Sequence, residues 1–406
     1  MILSEVSFIM KNYDLITPEG TKDLLFGECI IRRNIEDTLR GIFSSRGYSE
    51  MITPGLEFFD VFNLNSRYFP QENLYKLTDS KGRLLVMRPD STMPIARVVA
   101  TRLRDAILPL KLCYNQTVYR TEPALKGRSD EIVQAGIELI GSQLKMADLE
   151  VISTAIDSLK AFGMEFSLEI GHIGVFKELV GKLEVTDTDK ERIRKLIESK
   201  NFPALNDLLD SFGSNPITAA LKKLPALFGG VEVFDKAEEL IPDENVKHIL
   251  DELRELYCDI NELCGSDTNI TVDLGLVNKT DYYTGVIIKG YLQGHGEEVL
   301  SGGRYDKLIS EFGYDIPAVG FAVNVNAIQK VIEKNGVYPA MPKADAIVYA
   351  EKGCEVAAVK AANELREQGL IVENALFDDI ETVREYAKEK KIAKVVVIDG
   401  SSREEE

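Results

Sequence analysis

Two polar side chains in one short segment could form part of a ligand pocket. Gln134 and Glu138 alternate with Gly136 along an otherwise apolar strand, so both side chains fall on one face of it. A polar group on a buried face costs free energy unless it is paired, which favours a bound ligand. Ordinary alternation on a solvent-facing strand is the competing interpretation of this segment taken alone.

Arginines and tyrosines near this strand offer complementary chemistry. Arg120 and Arg128 flank a polar loop, and a guanidinium group can bind a carboxylate or a phosphate through two parallel hydrogen bonds. Farther along, residues 281–285 and 301–306 combine tyrosines with glycines, which let a ligand approach the backbone. Each segment alone is better explained by packed tyrosines and a glycine-rich strand end, so only their combination indicates a site.

The rest of the sequence predicts the elements that must position these side chains. Short strands and amphipathic helices are mixed over residues 13–330, whereas about 172–265 shows helical periodicity interrupted by prolines. After a proline-marked boundary, strand and helix alternate over 343–406, as in parallel α/β units. We therefore predict an α+β core with an all-helical insertion, a small C-terminal α/β domain, and a short N-terminal arm over residues 1–12.

Two local predictions concern the ends of the chain. Apolar residues at helical spacing over 23–46 predict the first long helix, with an N-cap signal at Asp23. The acidic end, Glu404–Glu406, is expected to be solvated and disordered.

Composition and charge limit the possible functions. The chain has 406 residues and a formal net charge of -18, and an acidic surface repels nucleic-acid phosphates. Residues 342–406 alone hold 10 Lys and Arg against 15 Asp and Glu. The five scattered cysteines predict no disulfide framework and are typical of a reducing cytoplasm. The histidines lie far apart, so no metal site is expected. The sequence has no phosphate-binding glycine loop and no long apolar run, so neither a cofactor nor membrane contact is expected.

The order of motifs along the chain resembles the catalytic core of class II histidyl-tRNA synthetases over about residues 13–330. The two tyrosine-containing segments are peculiar to the histidine branch of class II. The segments that carry the resemblance are Pro18–Asp23, Gly47-Tyr48, Thr53-Pro54, Met87–Thr92, the Arg120 loop, Asp281-Tyr282-Tyr283 and Gly302–Asp306.

This resemblance implies a six-stranded antiparallel sheet flanked by helices, with a histidine pocket on the sheet. By position, Asp90, Thr92 and Gln134 would hold the amino group of histidine, although a Glu is usual where Asp90 stands. Glu138 and Tyr283 would hold the imidazole N–H groups, and Tyr305 would form the pocket wall. The assignment is chemically sensible, because an ammonium group needs a carboxylate and an imidazole needs an acceptor and a hydroxyl.

Three positions depart from the synthetase pattern. The arginine that polarises the amino-acid carboxylate is replaced by Asn278, the second arginine of the Arg-x-Arg pair by Asp130, and the arginine that holds the far phosphate of ATP by Ala327. Arg120 and Arg128 remain as residual phosphate- or carboxylate-binding groups. Losing one preorganised charge costs on the order of 10²–10³ in rate, so no adenylate formation and no catalytic residues are expected.

A retained amino-acid pocket without activation arginines resembles the regulatory subunits of short-form ATP phosphoribosyltransferase. That resemblance implies a non-catalytic subunit of the first step of histidine biosynthesis. It implies a homodimer through the core, assembly with short catalytic subunits into a larger hetero-oligomer, activation of those subunits, and feedback inhibition by histidine without tRNA binding. An active histidyl-tRNA synthetase and a stand-alone histidine-binding paralogue with another partner are the alternatives.

Overall fold

The chain forms two compact units. The computed structural model describes residues 13–63, 69–121, 129–265, 269–277, 282–336, 342–399 and 403–405. The division between the units falls between residues 337 and 338.

Helices and strands alternate irregularly in the first unit and regularly in the second. Among the described residues, the α-helices are α1 (Gly27–Ser45), α2 (Phe59–Asn63), α3 (Thr92–Thr101), α4 (Lys145–Lys160), α5 (Ile173–Gly181), α6 (Asp187–Glu198), α7 (Phe202–Ser211), α8 (Pro216–Lys223), α9 (Glu232–Leu240), α10 (Glu244–Cys264), α11 (Val325–Lys334), α12 (Glu355–Glu367) and α13 (Ile380–Lys390). The strands are β1 (Ser49–Glu50), β2 (Leu56–Phe58), β3 (Lys76–Thr78), β4 (Leu84–Met87), β5 (Leu110–Tyr119), β6 (Glu131–Ile140), β7 (Phe166–His172), β8 (Phe228–Gly229), β9 (Asn269–Asp273), β10 (Val286–Leu292), β11 (Leu300–Arg304), β12 (Ala318–Asn324), β13 (Ala346–Ala350), β14 (Val372–Asn374), β15 (Lys394–Ile398) and β16 (Arg403–Glu405).

The main sheet of the first unit has the strand order β1-β5-β6-β12-β11-β10-β7-β9-β8. The six consecutive strands β5, β6, β12, β11, β10 and β7 pair antiparallel throughout, as the resemblance to class II synthetases implies. At the two sides, β1 joins β5 and β9 joins β7 in parallel. A separate three-stranded antiparallel sheet has the order β2-β4-β3.

The two faces of the main sheet have different characters. On β12, Phe321 and Val323 are buried, and the Phe321 ring lies 6.0 Å from that of Phe43 on α1 in an edge-to-face arrangement. Helices α1, α4 and α11 contact the sheet strands and bury their apolar stripes. Because side chains alternate along a strand, Gly320 and its neighbours two residues away face the opposite side. That side carries the cavity described below.

The helical insertion lies between β7 and β9 and contributes α5 to α10. Its buried residues belong to the same continuous apolar core as the sheet. The prediction of an all-helical insertion is wrong in one detail, because Phe228–Gly229 forms the short strand β8, which pairs antiparallel with β9. Two residues are too few to show a strand periodicity in the sequence.

The predicted N-cap at Asp23 is also wrong. Helix α1 begins at Gly27. The preceding residue, Phe26, has a φ of 46° and makes no side-chain hydrogen bond that caps the helix. Glu28 accepts a hydrogen bond from the Leu25 amide at 3.0 Å and so satisfies one free N–H near this end.

The second unit is a small α/β layer structure. Its sheet has the order β14-β13-β15-β16, with parallel pairing of β13 to both β14 and β15. One apolar cluster packs α12 on the sheet and another packs α13. The expectation of a disordered acidic end is wrong for Glu404 and Glu405, which belong to strand β16 and pair antiparallel with β15. Backbone hydrogen bonding to the adjacent strand β15 outweighs the polar composition that motivated the expectation.

Candidate functional site

Glu138 forms the centre of a buried polar cluster on β6. Its side chain is only 1% exposed. The Thr92 hydroxyl donates to Oε1 at 2.8 Å, and the Tyr305 hydroxyl donates to Oε2. Both carboxylate oxygens are therefore oriented by neighbouring hydroxyl groups.

Asp90 is a second buried carboxyl in the same cluster, at the start of α3. Its Oδ1 accepts from the Met93 amide at 2.8 Å, which satisfies one of the free N–H groups of that helix end. Its Oδ2 lies 3.9 Å from Nη2 of Arg120. The Nε of Arg120 also donates to the Pro89 carbonyl at 2.5 Å. Arg120 thus stands beside Asp90 with part of its donor capacity used.

Three tyrosines surround the carboxyls with aromatic surface. The rings of Tyr282 and Tyr283 lie 4.8 Å apart, and Tyr282 meets Tyr305 edge to face at 5.7 Å. All three side chains are buried. The Lys177 ammonium donates to the Tyr283 carbonyl at 2.7 Å, which ties this segment to α5 of the insertion.

Gly320 and Gly303 lie directly beneath the polar cluster and form a glycine floor. A Cβ on Gly320 would lie 1.9 Å from Oε2 of Glu138 and 2.3 Å from the Ile137 carbonyl. On Gly303, a Cβ would lie 2.4 Å from the Val286 carbonyl and 2.9 Å from the Tyr283 ring. Neither position accepts any side chain without moving the groups above it.

The cluster opens into a cavity of about 470 Å³ on this face of the sheet. Asp90, Thr92, Glu138 and the tyrosines line its inner end. The outer end is lined by charged residues, with Lys289 paired to Glu298 at 3.1 Å and Tyr291 donating to Glu169 at 3.1 Å. Residues 198 and 200, at the end of α6, also line it, so the insertion contributes to the wall.

Burial makes the two inner carboxyls reluctant to ionise. Desolvation raises the pKa of Glu138 to about 8, against the opposing hydrogen bonds from Tyr305 and Thr92, and nearby Asp90 raises it further. Desolvation also raises the pKa of Asp90, while the Arg120 charge and the Met93 amide oppose the shift. A buried pair of carboxyls with one nearby cation is suited to a cationic ligand group.

The other predicted site residues are placed as follows. Gln134 lines the same cavity, on β6 opposite Asn324 of β12. Arg128 and Asn278 lie outside the described residues.

The two remaining departure positions have structural partners of their own. Oδ2 of Asp130 accepts from the Tyr75 hydroxyl at 2.5 Å, and its carboxylate lies where a Cβ on Gly20 would be. Ala327 is buried in the first turn of α11, and its amide is capped by Oδ1 of Asn324 at 3.1 Å.

The sequence reasoning missed Tyr114 and Gly320. Tyr114 on β5 stands opposite Gly136, and a Cβ on Gly136 would lie 2.6 Å from the Tyr114 hydroxyl. Its ring therefore fills the space between Gln134 and Glu138. A glycine in the middle of a long apolar strand signals such a close approach, and this signal was available in the sequence.

In the part of the chain that the structure describes, no group of three or more His, Cys, Asp or Glu side chains could hold a metal ion. None of the described helices is both long and apolar enough to cross a membrane.

Comparison with known proteins identifies the family. The histidyl-tRNA synthetase family model matches residues 20–328. The ATP phosphoribosyltransferase regulatory subunit of Clostridium kluyveri is 44% identical over 94% of this chain and 99% of its own length, and that of Clostridium acetobutylicum is 42% identical over 95% and 96%. This chain belongs to the family of ATP phosphoribosyltransferase regulatory subunits.

Solved structures agree with this family assignment. A Bacillus halodurans protein described as an ATP phosphoribosyltransferase regulatory subunit/histidyl-tRNA synthetase superposes with a TM-score of 0.83 at 30% identity, covering 96% of this chain and 100% of that one. The histidyl-tRNA synthetase of Nostoc sp. PCC 7120, at 21% identity over 97% of this chain and 96% of its own, shares the fold with a TM-score of 0.75. The predicted class II synthetase-like fold is confirmed, as is the prediction of a regulatory subunit of histidine biosynthesis rather than a catalyst.

Proposed function

We propose that this chain senses histidine in the cavity around Glu138 and Asp90, and thereby regulates an ATP phosphoribosyltransferase catalytic subunit with which it assembles. The observation that carries the proposal is a buried cluster of two carboxyls and hydroxyl groups, kept in a chain in which Asp130 and Ala327 replace arginines that a synthetase would need. Such a site can hold an amino acid without activating it.

The chemistry of each group suggests the orientation of the ligand. The ammonium group would lie against Asp90, Thr92 and Gln134, since a cation compensates a buried carboxylate. The imidazole would lie against Glu138 and Tyr283, with Tyr305 as the wall. Arg120, already close to Asp90 at the inner end, is the proposed partner of the ligand carboxylate.

Regulation requires that histidine binds two assembly states unequally, and coupling of this kind is typically ~1–3 kcal/mol. In this proposal the chain forms a homodimer through the first unit, and its presence in a larger hetero-oligomer activates the catalytic subunit. Histidine then inhibits the complex. The acidic charge supports the absence of tRNA binding, and the cysteine usage supports a cytoplasmic location.

The test is isothermal calorimetry of histidine on the complex reconstituted with a short phosphoribosyltransferase subunit, together with assays of its activity. Glu138→Gln keeps the shape but removes the charged acceptor. A charge-assisted hydrogen bond is worth roughly 1.5–3 kcal/mol, so affinity should fall about tenfold to a hundredfold. The same change should relieve inhibition by histidine and spare activation by the subunit.

Glu298→Gln is the matched control, because it makes the same chemical change at the outer end of the same cavity. It should leave histidine affinity and inhibition unchanged. Absence of histidine binding to the wild-type complex would refute the proposal. Full inhibition of the Glu138→Gln complex would place the effector site elsewhere, and activity without any dependence on this chain would favour the histidine-binding paralogue with another partner.

A further inference from the structure

The buried Glu138 carboxyl has no positive partner among the described residues. Its hydrogen bonds come from the hydroxyls of Thr92 and Tyr305, which are neutral donors. The nearest described cation of the cluster, Arg120, stands beside Asp90 instead, 3.9 Å from Oδ2. The inner end of the cavity therefore holds two buried carboxyls and one neighbouring guanidinium, and the lining lysines Lys200, Lys289 and Lys330 make no hydrogen bond or ion pair with Glu138.

The groups that face Glu138 do not supply the missing charge. They come from the start of α3, the segment after α1, β5, the segment before β10 and the residue after β11. They are Asp90, Tyr48, Tyr114, Tyr282, Tyr283 and Tyr305. Desolvation raises the pKa of every one of these tyrosines, so they stay neutral, and Asp90 can only add negative charge.

A buried carboxylate without a counter-charge is costly, so the group keeps a proton when the cavity is empty. The raised pKa of Glu138, about 8, agrees with this argument from geometry. A bound imidazole changes the balance, because it can accept that proton and become the positive partner.

We propose that the cavity binds histidine together with one proton that the imidazole ring and the Glu138 carboxyl share, so the bound pair is an imidazolium against a carboxylate. The proposal rests on the proposed function, since it assumes that histidine occupies this cavity. The proton passes from the Glu138 carboxyl to the ring nitrogen that faces it, and no further group is consumed or released. The cluster therefore selects a ligand by the basicity of its ring as well as by its shape.

Proton counting gives the expected pH dependence. Between about pH 6.5, near the unperturbed pKa of an imidazole, and about pH 8, the free protein brings one proton and the free ligand none. The complex also holds one, so affinity is flat. Below this pH window the ligand ring is protonated, so the ligand brings a second proton that must be released on binding. Above the window Glu138 has lost its proton, so one proton must be taken up from solvent. Affinity should fall on both sides, by up to about tenfold per pH unit.

The experiment is calorimetric titration of the full-length chain with histidine from pH 5.5 to 9, in buffers of different ionisation enthalpy so that protons are counted directly. We expect release of protons below the window, uptake above it and almost none within it. In Glu138→Gln the uptake above pH 8 should be reduced to the contribution of the ligand α-amino group, which also titrates there.

A ring-fluorinated histidine tests the fall in affinity at acidic pH, which depends on the ligand ring. This test does not require any variant to fold. Fluorine lowers the basicity of the ring with little change in its shape. This ligand should therefore bind more weakly at neutral pH, and its affinity should not fall as the pH drops below about 6.5. Identical pH profiles for histidine and its fluorinated form, or identical proton uptake in wild type and Glu138→Gln, would overturn the shared proton while leaving histidine binding intact. Absence of binding at every pH, both to the chain alone and to the reconstituted complex, would instead overturn the proposed function.

Discussion

Two regions of the molecule differ in whether their polar groups have partners within the protein. One is the inner end of the cavity, and the other comprises Asp130 and Ala327, the lost positions at which a synthetase carries arginines. At the inner end, Glu138 and Asp90 are buried, and desolvation raises the pKa of both. At the lost positions, Asp130 accepts the Tyr75 hydroxyl, and Ala327 lies in a capped helix turn. A buried group that remains electrostatically uncompensated needs a reason to persist, and a ligand provides one. The buried carboxyls that the proposed function assigns to ligand binding thus differ from the lost positions, whose groups are satisfied within the protein framework.

The largest expected effect comes from disturbing the floor of the inner end. Gly320→Ala would place a methyl group 1.9 Å from Oε2 of Glu138 and 2.3 Å from a backbone carbonyl. Overpacking of this kind costs roughly 1–3 kcal/mol in stability, and displacing Glu138 should weaken histidine binding by roughly a hundredfold. Calorimetry and thermal unfolding measure the two effects.

Gly41→Ala is the control for that substitution. Gly41 lies inside α1, and nothing stands within 4 Å of where its Cβ would be. The change should stabilise the chain by roughly 0.5–1 kcal/mol and leave histidine affinity unaltered. If Gly320→Ala binds histidine as tightly as Gly41→Ala does, the glycine floor does not position the site.

A more gradual effect should appear in the stability of the unliganded chain as pH changes. In the folded state the pKa of Glu138 is raised to about 8, whereas the unfolded group ionises near 4.5. The folded state therefore binds the extra proton, and the contribution of Glu138 to stability is lost as pH rises between these values. Glu138→Gln removes this loss, so its stability relative to wild type should rise by up to about 1.4 kcal/mol per pH unit across pH 5–8.

Chemical denaturation at several pH values measures this slope. Glu298→Gln should show no comparable slope, since the Glu298 carboxylate is partly exposed and paired with Lys289. If the difference in unfolding free energy between Glu138→Gln and wild type does not change with pH, the Glu138 carboxyl has a compensating partner. The contrast between the two regions would then fail.

The smallest effect is expected at the lost positions. Asp130→Asn keeps an acceptor for the Tyr75 hydroxyl, so stability should change by less than about 1 kcal/mol. Histidine affinity should be unchanged, and neither wild type nor variant should show histidine-dependent pyrophosphate–ATP exchange. Exchange at a rate typical of synthetases would restore the synthetase alternative, and a large loss of histidine binding would make Asp130 part of the site.

The family fold and much of the candidate site could be predicted from the amino-acid sequence. Strands with clear apolar runs were predictable, and β6 spans Glu131–Ile140 as its alternation indicates. The motif order was sufficient to name Asp90, Thr92, Gln134, Glu138, Tyr283 and Tyr305, and the structure brings these residues to one cavity. The charge changes at Asp130 and Ala327 were readable directly, because charge is a property of the residue.

Features that depend on residues distant in the sequence could be seen only in the folded structure. Tyr114 and Gly320 act through pairs formed across strands, Tyr114 with Gly136 and Gly320 with Glu138, and no local spacing reveals which residue stands opposite. Strand β8 and the pairing of Arg403–Glu405 likewise exist because a neighbouring strand offers its backbone groups. The raised pKa of Glu138 has the same origin, since burial and the absence of a nearby counter-charge are properties of packing and not of the sequence around residue 138.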